Sequence, residues 1–257
     1  MSIVGLTIER PFVAGLQLGG LQTPAALAII ERRPGETEEA PVTHELRLLE
    51  RWAAGLPYTM IVRQVTRRFR MALAQASKNR DAMGQPVKTA LSERTAALVV
   101  NATGVGKMAV DILERELPGL RSVPTWITTS DQASEDTEGW RVPQRDLIAA
   151  VLVLDQQERL AVPKSLADAA ALKAQMDAYH VKPGTSDRAR FEPAGGDDLV
   201  LAVALACWWG ELVAPARVDI LAGPFGAWSA EALEYERQKR RVKSMPAKIT
   251  GPMSEGV

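Results

Sequence analysis

Residues 98–106 read LVVNATGVG, and they decide the fold class of this chain. Apolar residues with high β propensity run into a turn that contains two glycines, and a helical pattern follows from Met108 to Leu117 until Pro118-Gly119 ends it. A strand, a tight glycine turn and a helix form one unit of a layered α/β fold. The stretch therefore predicts an α/β domain whose sheet is flanked by helices.

Segments on both sides of this unit extend the prediction. The apolar runs 13–18 and 25–30 and the alternating run 45–52 are typical of three neighbouring strands. Apolar residues recur at helical spacing through residues 58–76, which predicts an amphipathic helix. Further predicted elements are strands at 123–128 and 159–162, helices at 144–154, 166–179 and 198–212, an acidic loop at 131–138 and a loop or hairpin at 183–196.

Composition places the chain among ordinary globular proteins. Of its 257 residues, 46% are hydrophobic and 24% charged. Lys plus Arg and Asp plus Glu each number 31, so the net charge is zero and affinity for DNA would require a local basic patch. The single cysteine, Cys207, lies in the apolar run 199–209, which predicts a buried thiol and a reducing, cytoplasmic compartment.

No membrane partner is expected, and the chain is predicted to have two parts. The run 199–209 is far shorter than the roughly 20 residues of a membrane-spanning helix, and residues 1–10 lack the apolar core of a secretion signal. Residues 1–212 carry the regular pattern of the main domain. Residues 213–257, with a charged helix predicted at 229–243, are expected to form a C-terminal helical appendage and tail that could bind a partner.

Two familiar types of site are excluded by their spacing. Residues 104–107, GVGK, resemble the end of a phosphate-binding loop, but the required Gly and Ser/Thr positions are Asn101 and Met108. The two histidines, His44 and His180, have no cysteine, carboxylate or histidine at ligand spacing, which argues against structural zinc.

Three segments taken together resemble the nuclease motifs of phage terminase large subunits. They are AGLQLG at 14–19 followed by TPAALA at 23–28, LVVNATGVG at 98–106, and GDDLVLA at 196–202. The connecting pieces at 126–128, 142–147 and 159–163 are also similar to that family. Each piece alone is common, and it is their order and spacing from about Val13 to Trp209 that carry the resemblance.

The resemblance implies an RNase H-like fold, in which a mixed central sheet is flanked by helices. It also implies acidic residues brought together from the first strand, the fourth strand and a later helix. Such a site holds two divalent ions, Mg or Mn, about 4 Å apart, which clamp the attacking water and the leaving oxygen of a phosphodiester. Several carboxylates are needed to hold these ions against hydration.

The chain departs from the family pattern at the acidic positions. Gln17 stands at the first-strand position, Asn101 at the fourth-strand position and Thr23 where relatives often carry another Asp. The pair Asp197 and Asp198 remains, and these two are the predicted metal ligands. An amide supplies no negative charge, so tight binding of two metal ions should fail.

Alternative interpretations of the same residues stay open. Gln17 and Asn101 could cap strand ends while Asp197 and Asp198 cap a helix, which is a purely structural role. A weakened single-metal site is a second alternative, and recruitment of a neighbouring carboxylate is a third. The candidates for recruitment are Glu31, Asp111 and Asp131.

Two basic segments are candidate contacts to the phosphate backbone of nucleic acid. They comprise Arg63, Arg67, Arg68 and Arg70 on the predicted helix 58–76, and Lys239, Arg240 and Arg241 with Lys243 near the C-terminus. A solvated helix face is the competing interpretation of both.

Three functions follow as hypotheses. The first is a terminase-like nuclease domain, related to viral DNA packaging, whose catalytic site is degenerate or inactivated, so that any Mg or Mn cofactor is weak or absent. The second is an active metal-dependent endonuclease with displaced ligands, and the third is a non-catalytic DNA-binding or scaffold protein. The expected partners are double-stranded DNA and a terminase or portal-type protein, in the cytoplasm of a bacterium or a phage-infected host.

Overall fold

The structure is a computed structural model that describes residues 4–7, 12–33, 35, 40–76, 96–104, 106–179, 196–213 and 216–219. The chain divides into two compact units, one of Leu6–Arg217 and one of Met1–Gly5 with Val218–Val257. The predicted boundary after residue 212 stays a prediction. The segments 183–195 and 229–243, with Lys239, Arg240 and Arg241, lie outside the described residues.

The described residues form ten strands and five helices. In chain order they are β1 (Val4–Thr7), β2 (Phe12–Gln17), β3 (Ala25–Arg33), β4 (Thr43–Trp52), α1 (Tyr58–Ala76), β5 (Ala96–Asn101), α2 (Gly106–Glu116), β6 (Arg121–Thr128), β7 (Ser134–Glu135), β8 (Trp140–Pro143), α3 (Gln144–Gln156), β9 (Leu160–Ala161), α4 (Ala169–Ala178), α5 (Asp198–Leu212) and β10 (Ala216–Asp219). Strands β1 and β10 pair as a two-stranded sheet.

The other eight strands form one mixed sheet in the order β7-β8-β6-β5-β2-β3-β4-β9. Strands β2, β3 and β4 are an antiparallel meander, whereas β5, β6 and β8 follow β2 in parallel. The first strand of the sheet therefore lies at its centre, between β3 and β5. This order and direction, with helices on both faces, confirm the predicted RNase H-like α/β fold.

The sheet separates two apolar cores because side chains alternate between its faces. On one face, Val13 and Val99 pack with α3, α4 and α5. On the other face, Leu16 and Leu98 pack with α1 and α2. Every residue of β5 is buried, which is the continuous apolar run expected of a central parallel strand.

Helix α5 lies almost directly on the backbone of β2. A Cβ atom on Gly15 would be 1.9 Å from the carbonyl oxygen of Ala202, so a larger residue would push the helix away. The middle of α5 is buried, and Cys207 is 0% exposed, which confirms the predicted buried thiol. Burial also raises the pKa of the Cys207 thiol. Among the described helices, none is long and apolar enough to span a membrane.

The sequence predicts the long elements closely and misses the short strands β1, β7, β8 and β10, whereas β9 falls inside the strand predicted at 159–162. Helix α1 has the predicted bounds, and its buried positions are Ile61, Val62, Val65, Thr66 and Phe69. The acidic loop 131–138 contains the two-residue strand β7, and β8 begins at the polar-flanked Trp140. Pairing with a neighbouring strand, and not the β propensity of their own residues, determines where these short strands form.

Candidate active site

Gln17 and Asn101 meet at the carboxyl ends of the two central strands. Parallel pairing aligns Leu16 with Val100, and Gln17 and Asn101 are the next pair along. The Asn101 Nδ2 atom donates a hydrogen bond to Gln17 Oε1 at 2.7 Å. Asn101 Oδ1 in turn accepts from the backbone N–H of Thr103 at 3.0 Å. Two of the predicted site residues are thus in direct contact, through one hydrogen bond between their side-chain amides.

A cross-strand row continues from this amide pair across the sheet. Asn101 is in register with Thr125 on one side, while Gln17 is in register with Ala26, and Ala26 with Arg51, on the other. Residues in register on paired strands project from the same face. Arg51 therefore lies on the face of the sheet that carries Gln17, Asn101 and helix α5.

Asp198, the first residue of α5, is held by Arg51. The Arg51 Nη2 atom donates to Asp198 Oδ1 at 2.7 Å, and Arg51 Nε lies 2.6 Å from Asp198 Oδ2. The Asp198 side chain is 3% exposed and that of Arg51 is 32% exposed. Because Arg51 belongs to the cross-strand row, Asp198 lies at the same end of the strands as the amide pair. The negative charge of Asp198 is balanced there by the guanidinium group of Arg51.

Gln175 on α4 links Asp198 to the start of α5. Its Nε2 atom donates to Asp198 Oδ1 at 3.1 Å, and its Oε1 atom accepts from the backbone N–H groups of Leu199 and Val200 at 3.0 and 3.1 Å. The first turn of a helix has free N–H groups that need acceptors. Gln175 supplies the acceptor here, and Asp197 makes no capping hydrogen bond although it occupies the N-cap position. The predicted capping role of Asp197 is therefore wrong.

Asp197 lies half-buried beside two neutral donors. Its Oδ2 atom accepts from the Tyr179 hydroxyl at 3.2 Å and from Gln144 Nε2 at 3.4 Å. Burial raises the pKa of Asp197, and the nearby Asp198 charge adds to this, although the hydrogen bond from Tyr179 opposes it. The Asp197 carboxyl group therefore holds its proton more readily than that of an exposed aspartate.

This set of donors does not fit a centre of two divalent ions. It offers the two carboxylates of Asp197 and Asp198, of which the second is paired with the guanidinium of Arg51. Two dications bring four positive charges, and hard cations of this kind need several oxygen ligands with negative charge. Within the described ranges, no group of three or more His, Cys, Asp or Glu side chains could hold a metal ion.

The carboxylates considered for recruitment lie elsewhere. Glu31 is in register with Phe12, at the opposite end of β2 from Gln17, and accepts from Arg47 Nε at 2.6 Å. The Asp131 side chain is 95% exposed and pairs with Arg145. Asp111 is exposed on α2, which packs on the other face of the sheet. None of the three joins Asp198.

The opposite end of α5 carries a separate charged cluster. His44 is 0% exposed, and its Nε2 atom lies 2.7 Å from Glu211 Oε1, which also accepts from Arg159 Nη2 at 2.8 Å. Burial opposes ionisation of Glu211, but these hydrogen bonds hold its pKa below the usual value. The buried His44 ring thus has a hydrogen-bond partner, whereas His180 lies outside the described residues.

Three of the four arginines predicted on α1 lie on one side of the helix, whereas Arg68 is paired with Glu50. Arg63, Arg67 and Arg70 are exposed and line a common open cleft. Helix α1 belongs to the face of the sheet opposite the amide pair and Asp198. The structure therefore separates these arginines from the candidate active site.

Sequence reasoning missed the residues that surround the two aspartates. Arg51 is 147 positions from Asp198, and the alternation of its strand gives no hint of that partner. Gln175 and Tyr179 share a side of α4, and Gln144 begins α3, yet glutamine and tyrosine are common on helices. The one usable signal was Arg51 itself, a cation at the end of β4, which lies two strands away from the Gln17 strand.

Comparison with known proteins bears on the fold. No family model matches the chain, and no curated protein matches it in sequence. The large terminase nuclease of thermophilic phage G20c with bound magnesium is 17% identical over 80% of this chain and 85% of that one, with a TM-score of 0.48. The human cytomegalovirus terminase nuclease domain, soaked with manganese, is 12% identical over 80% and 83%, with a TM-score of 0.47.

RuvC from Thermus thermophilus is 12% identical over 80% of this chain and 99% of that one, with a TM-score of 0.35. At such identities and TM-scores, these likenesses carry no argument about chemistry. The RNase H-like fold rests on the strand order and directions of the sheet. Terminase nuclease domains and RuvC are proteins to which this chain is similar.

Proposed function

We propose that this chain is a terminase-type nuclease domain that has lost phosphodiester cleavage and persists in a non-catalytic role. One observation carries the proposal: Asp198, a buried carboxylate, is paired with the partly exposed Arg51 at the end of the strands where the family pattern places metal ligands. The amide pair of Gln17 and Asn101 supports it, because these amides stand at the other two acidic positions of that pattern.

A metal ion would have to compete with Arg51 for Asp198. An ion that binds Asp198 would first have to displace Arg51 from a carboxylate that is 3% exposed, so its own attraction to Asp198 is offset by the loss of an existing ion pair. An ion bound next to the guanidinium would also be repelled by it. Gln17 and Asn101 add no negative charge, which leaves Asp197 as the other described carboxylate at this position.

The proposal includes a role for the chain that does not require cleavage. A nuclease-type domain without cleavage could still bind double-stranded DNA or dock on a terminase or portal-type protein during viral DNA packaging. The order of the three sequence motifs supports this context. The single-metal alternative is weakened by the Arg51 pair, since Asp197 alone is left, with a raised pKa.

Calorimetric titration with Mn²⁺ and Mg²⁺, combined with plasmid nicking, tests the proposal. The wild-type chain should show no submicromolar binding of two ions and no nicking above a metal-free control. The matched variant is Gln17→Asp/Asn101→Asp/Arg51→Gln, which restores two carboxylates and removes the competing cation. This variant should gain Mn²⁺ binding, seen as a rise in Tm on adding Mn²⁺ that the wild type does not show.

The opposite result would favour the active endonuclease. Tight binding of two ions by the wild-type chain, with efficient nicking that Asp198→Ala abolishes, would contradict the loss of function. If the triple variant is too unstable to purify, Asn101→Asp/Arg51→Gln serves in its place, because it still removes the competing cation and restores one carboxylate.

A further inference from the structure

An open cleft of about 390 Å³ lies along α1 on the face of the sheet away from Asp198. The cleft is lined by Arg63, Thr66, Arg67, Arg70, Met71 and Glu116. Three of these six residues are arginines and one is acidic, so the cleft has a local excess of positive charge in a chain with zero net charge.

The three arginines form a stripe along α1. They follow at intervals of four and three residues, which places them on one side of the helix. The rise of 1.5 Å per residue separates Arg63 from Arg67 by about 6 Å and from Arg70 by about 10 Å along the axis. Such a line of guanidinium groups suits successive phosphates of an extended strand better than one isolated anion, because each planar fork can hold one phosphate through two hydrogen bonds.

Arg63 and Arg67 make no ion pair with a described residue. No hydrogen bond or ion pair joins Arg63 or Arg67 to another residue in the part of the chain that the structure describes. Arg70 donates to the Glu116 carbonyl oxygen at 3.1 Å and lies 3.5 Å from its carboxylate, which is half-exposed. Exposed pairs of this kind are weak, so an incoming anion could displace the carboxylate.

The floor of the cleft contains an unsatisfied hydroxyl group. Thr66 is 4% exposed, and its Oγ1 atom is buried without a hydrogen-bond partner among the described residues. Buried polar groups in folded proteins are normally paired, and an unpaired one calls for a ligand or a water molecule. Thr66 lies one turn from both Arg63 and Arg70, so a local side-chain rearrangement that exposes its hydroxyl would let it donate to an oxygen of a phosphate held by them.

From this arrangement we infer that the α1 cleft binds the phosphodiester backbone of a nucleic-acid strand. Arg63 and Arg67 supply the primary contacts, Arg70 joins after release from Glu116, and the Thr66 hydroxyl completes the site. The binding is independent of base sequence and needs no metal ion. The inference goes beyond the proposed loss of cleavage, since the same cleft would serve an active enzyme equally well.

Fluorescence anisotropy with the full chain tests the inference in the presence of EDTA. The probes are a labelled single strand, a duplex and a single strand with uncharged methylphosphonate linkages, each of one fixed sequence. Inorganic phosphate alone is titrated by calorimetry. The two natural probes should bind, the uncharged strand should not, and inorganic phosphate should bind far more weakly, because it engages one arginine at a time.

Substitutions in the cleft should change both the affinity and its dependence on salt. Arg63→Gln/Arg67→Gln should weaken binding by about tenfold for each arginine. The slope of log K against log salt should become less steep by about 1.4 for a single strand and 1.8 for a duplex, since two phosphate contacts are lost. Glu116→Gln should tighten binding by roughly two- to fivefold, because it removes the competing carboxylate.

A control substitution separates this cleft from a general charge effect. Lys173 on α4 is 75% exposed and lies on the other face of the sheet, so Lys173→Gln removes a positive charge without touching the cleft. Its affinity and salt slope should match the wild type. The inference is overturned if Lys173→Gln weakens binding as much as the arginine substitutions do. Equal binding of the methylphosphonate strand, or binding of inorganic phosphate without any binding of the strands, would overturn it as well.

Discussion

Replacing Arg51 with methionine should destabilise the chain far more than loss of a surface charge would. The substitution leaves the Asp198 carboxylate, 3% exposed, with Gln175 as its remaining side-chain donor. Breaking a buried pair by removing one partner costs about 3–5 kcal/mol. Because Arg51 is 32% exposed and water can enter where it lay, we expect about 3 kcal/mol.

A double-mutant cycle isolates the ion pair. Asp198→Asn leaves a partly solvated arginine and should cost about 1–2 kcal/mol, since the amide can still accept from Gln175. Once Asp198 is neutral, adding Arg51→Met should cost little more. The cycle should therefore give a coupling free energy of about 2 kcal/mol, well above the experimental error of additivity.

Urea denaturation followed by circular dichroism measures these values, and thermal melting provides a check. For a chain of this size, 3 kcal/mol corresponds to a fall in Tm of roughly 6–12 °C. If Arg51→Met costs less than about 0.5 kcal/mol, the pair behaves like a surface salt bridge. The account of a carboxylate neutralised by a buried cation would then be wrong.

Three further predictions concern other parts of the same domain. Gly15→Ala should destabilise the chain by at least about 2 kcal/mol in urea denaturation, because the new Cβ would meet the Ala202 carbonyl oxygen; a neutral effect would contradict the close contact of α5 with β2. Asp197→Asn should become more stable relative to the wild type as the pH rises from about 4 toward 7. The wild type loses stability over this range because the folded pKa of Asp197 is raised, so ionisation of this carboxyl group favours the unfolded chain, whereas the amide of the variant does not ionise. Glu211→Gln should be less stable than the wild type at neutral pH, because the folded pKa of Glu211 is lowered and its carboxylate stabilises the folded chain. The difference in stability should shrink as the pH falls below about 4.5, and a difference that grows in acid would refute this sign.

The sequence predicts the central strands and helix α1 because the spacing of apolar residues along the chain determines how these elements are buried. The apolar run before the Gly104 turn can be buried on both sides, and the 3.6-residue spacing in α1 leaves one side apolar and the other basic. The convergence of Gln17 and Asn101 was predictable through the family resemblance. Neighbouring parallel strands end at one edge of a sheet, so the two amides had to be close.

The remaining features of the site depend on contacts between distant segments. Arg51 reaches Asp198 because β4 is two strands away from β2 and α5 crosses that face of the sheet. Gln175 occupies the start of α5 because α4 packs there, and no local pattern marks a glutamine as a helix cap. Such pairings depend on tertiary geometry, which one sequence without relatives does not encode in any local signal.

The most direct measurement is a crystal structure of the wild-type chain soaked in Mn²⁺, with anomalous data collected at the manganese edge. The account predicts that Arg51 stays paired with Asp198, that Asn101 still donates to Gln17, and that no anomalous peak lies beside them. Two manganese peaks about 4 Å apart next to Asp198, with Arg51 displaced, would contradict it.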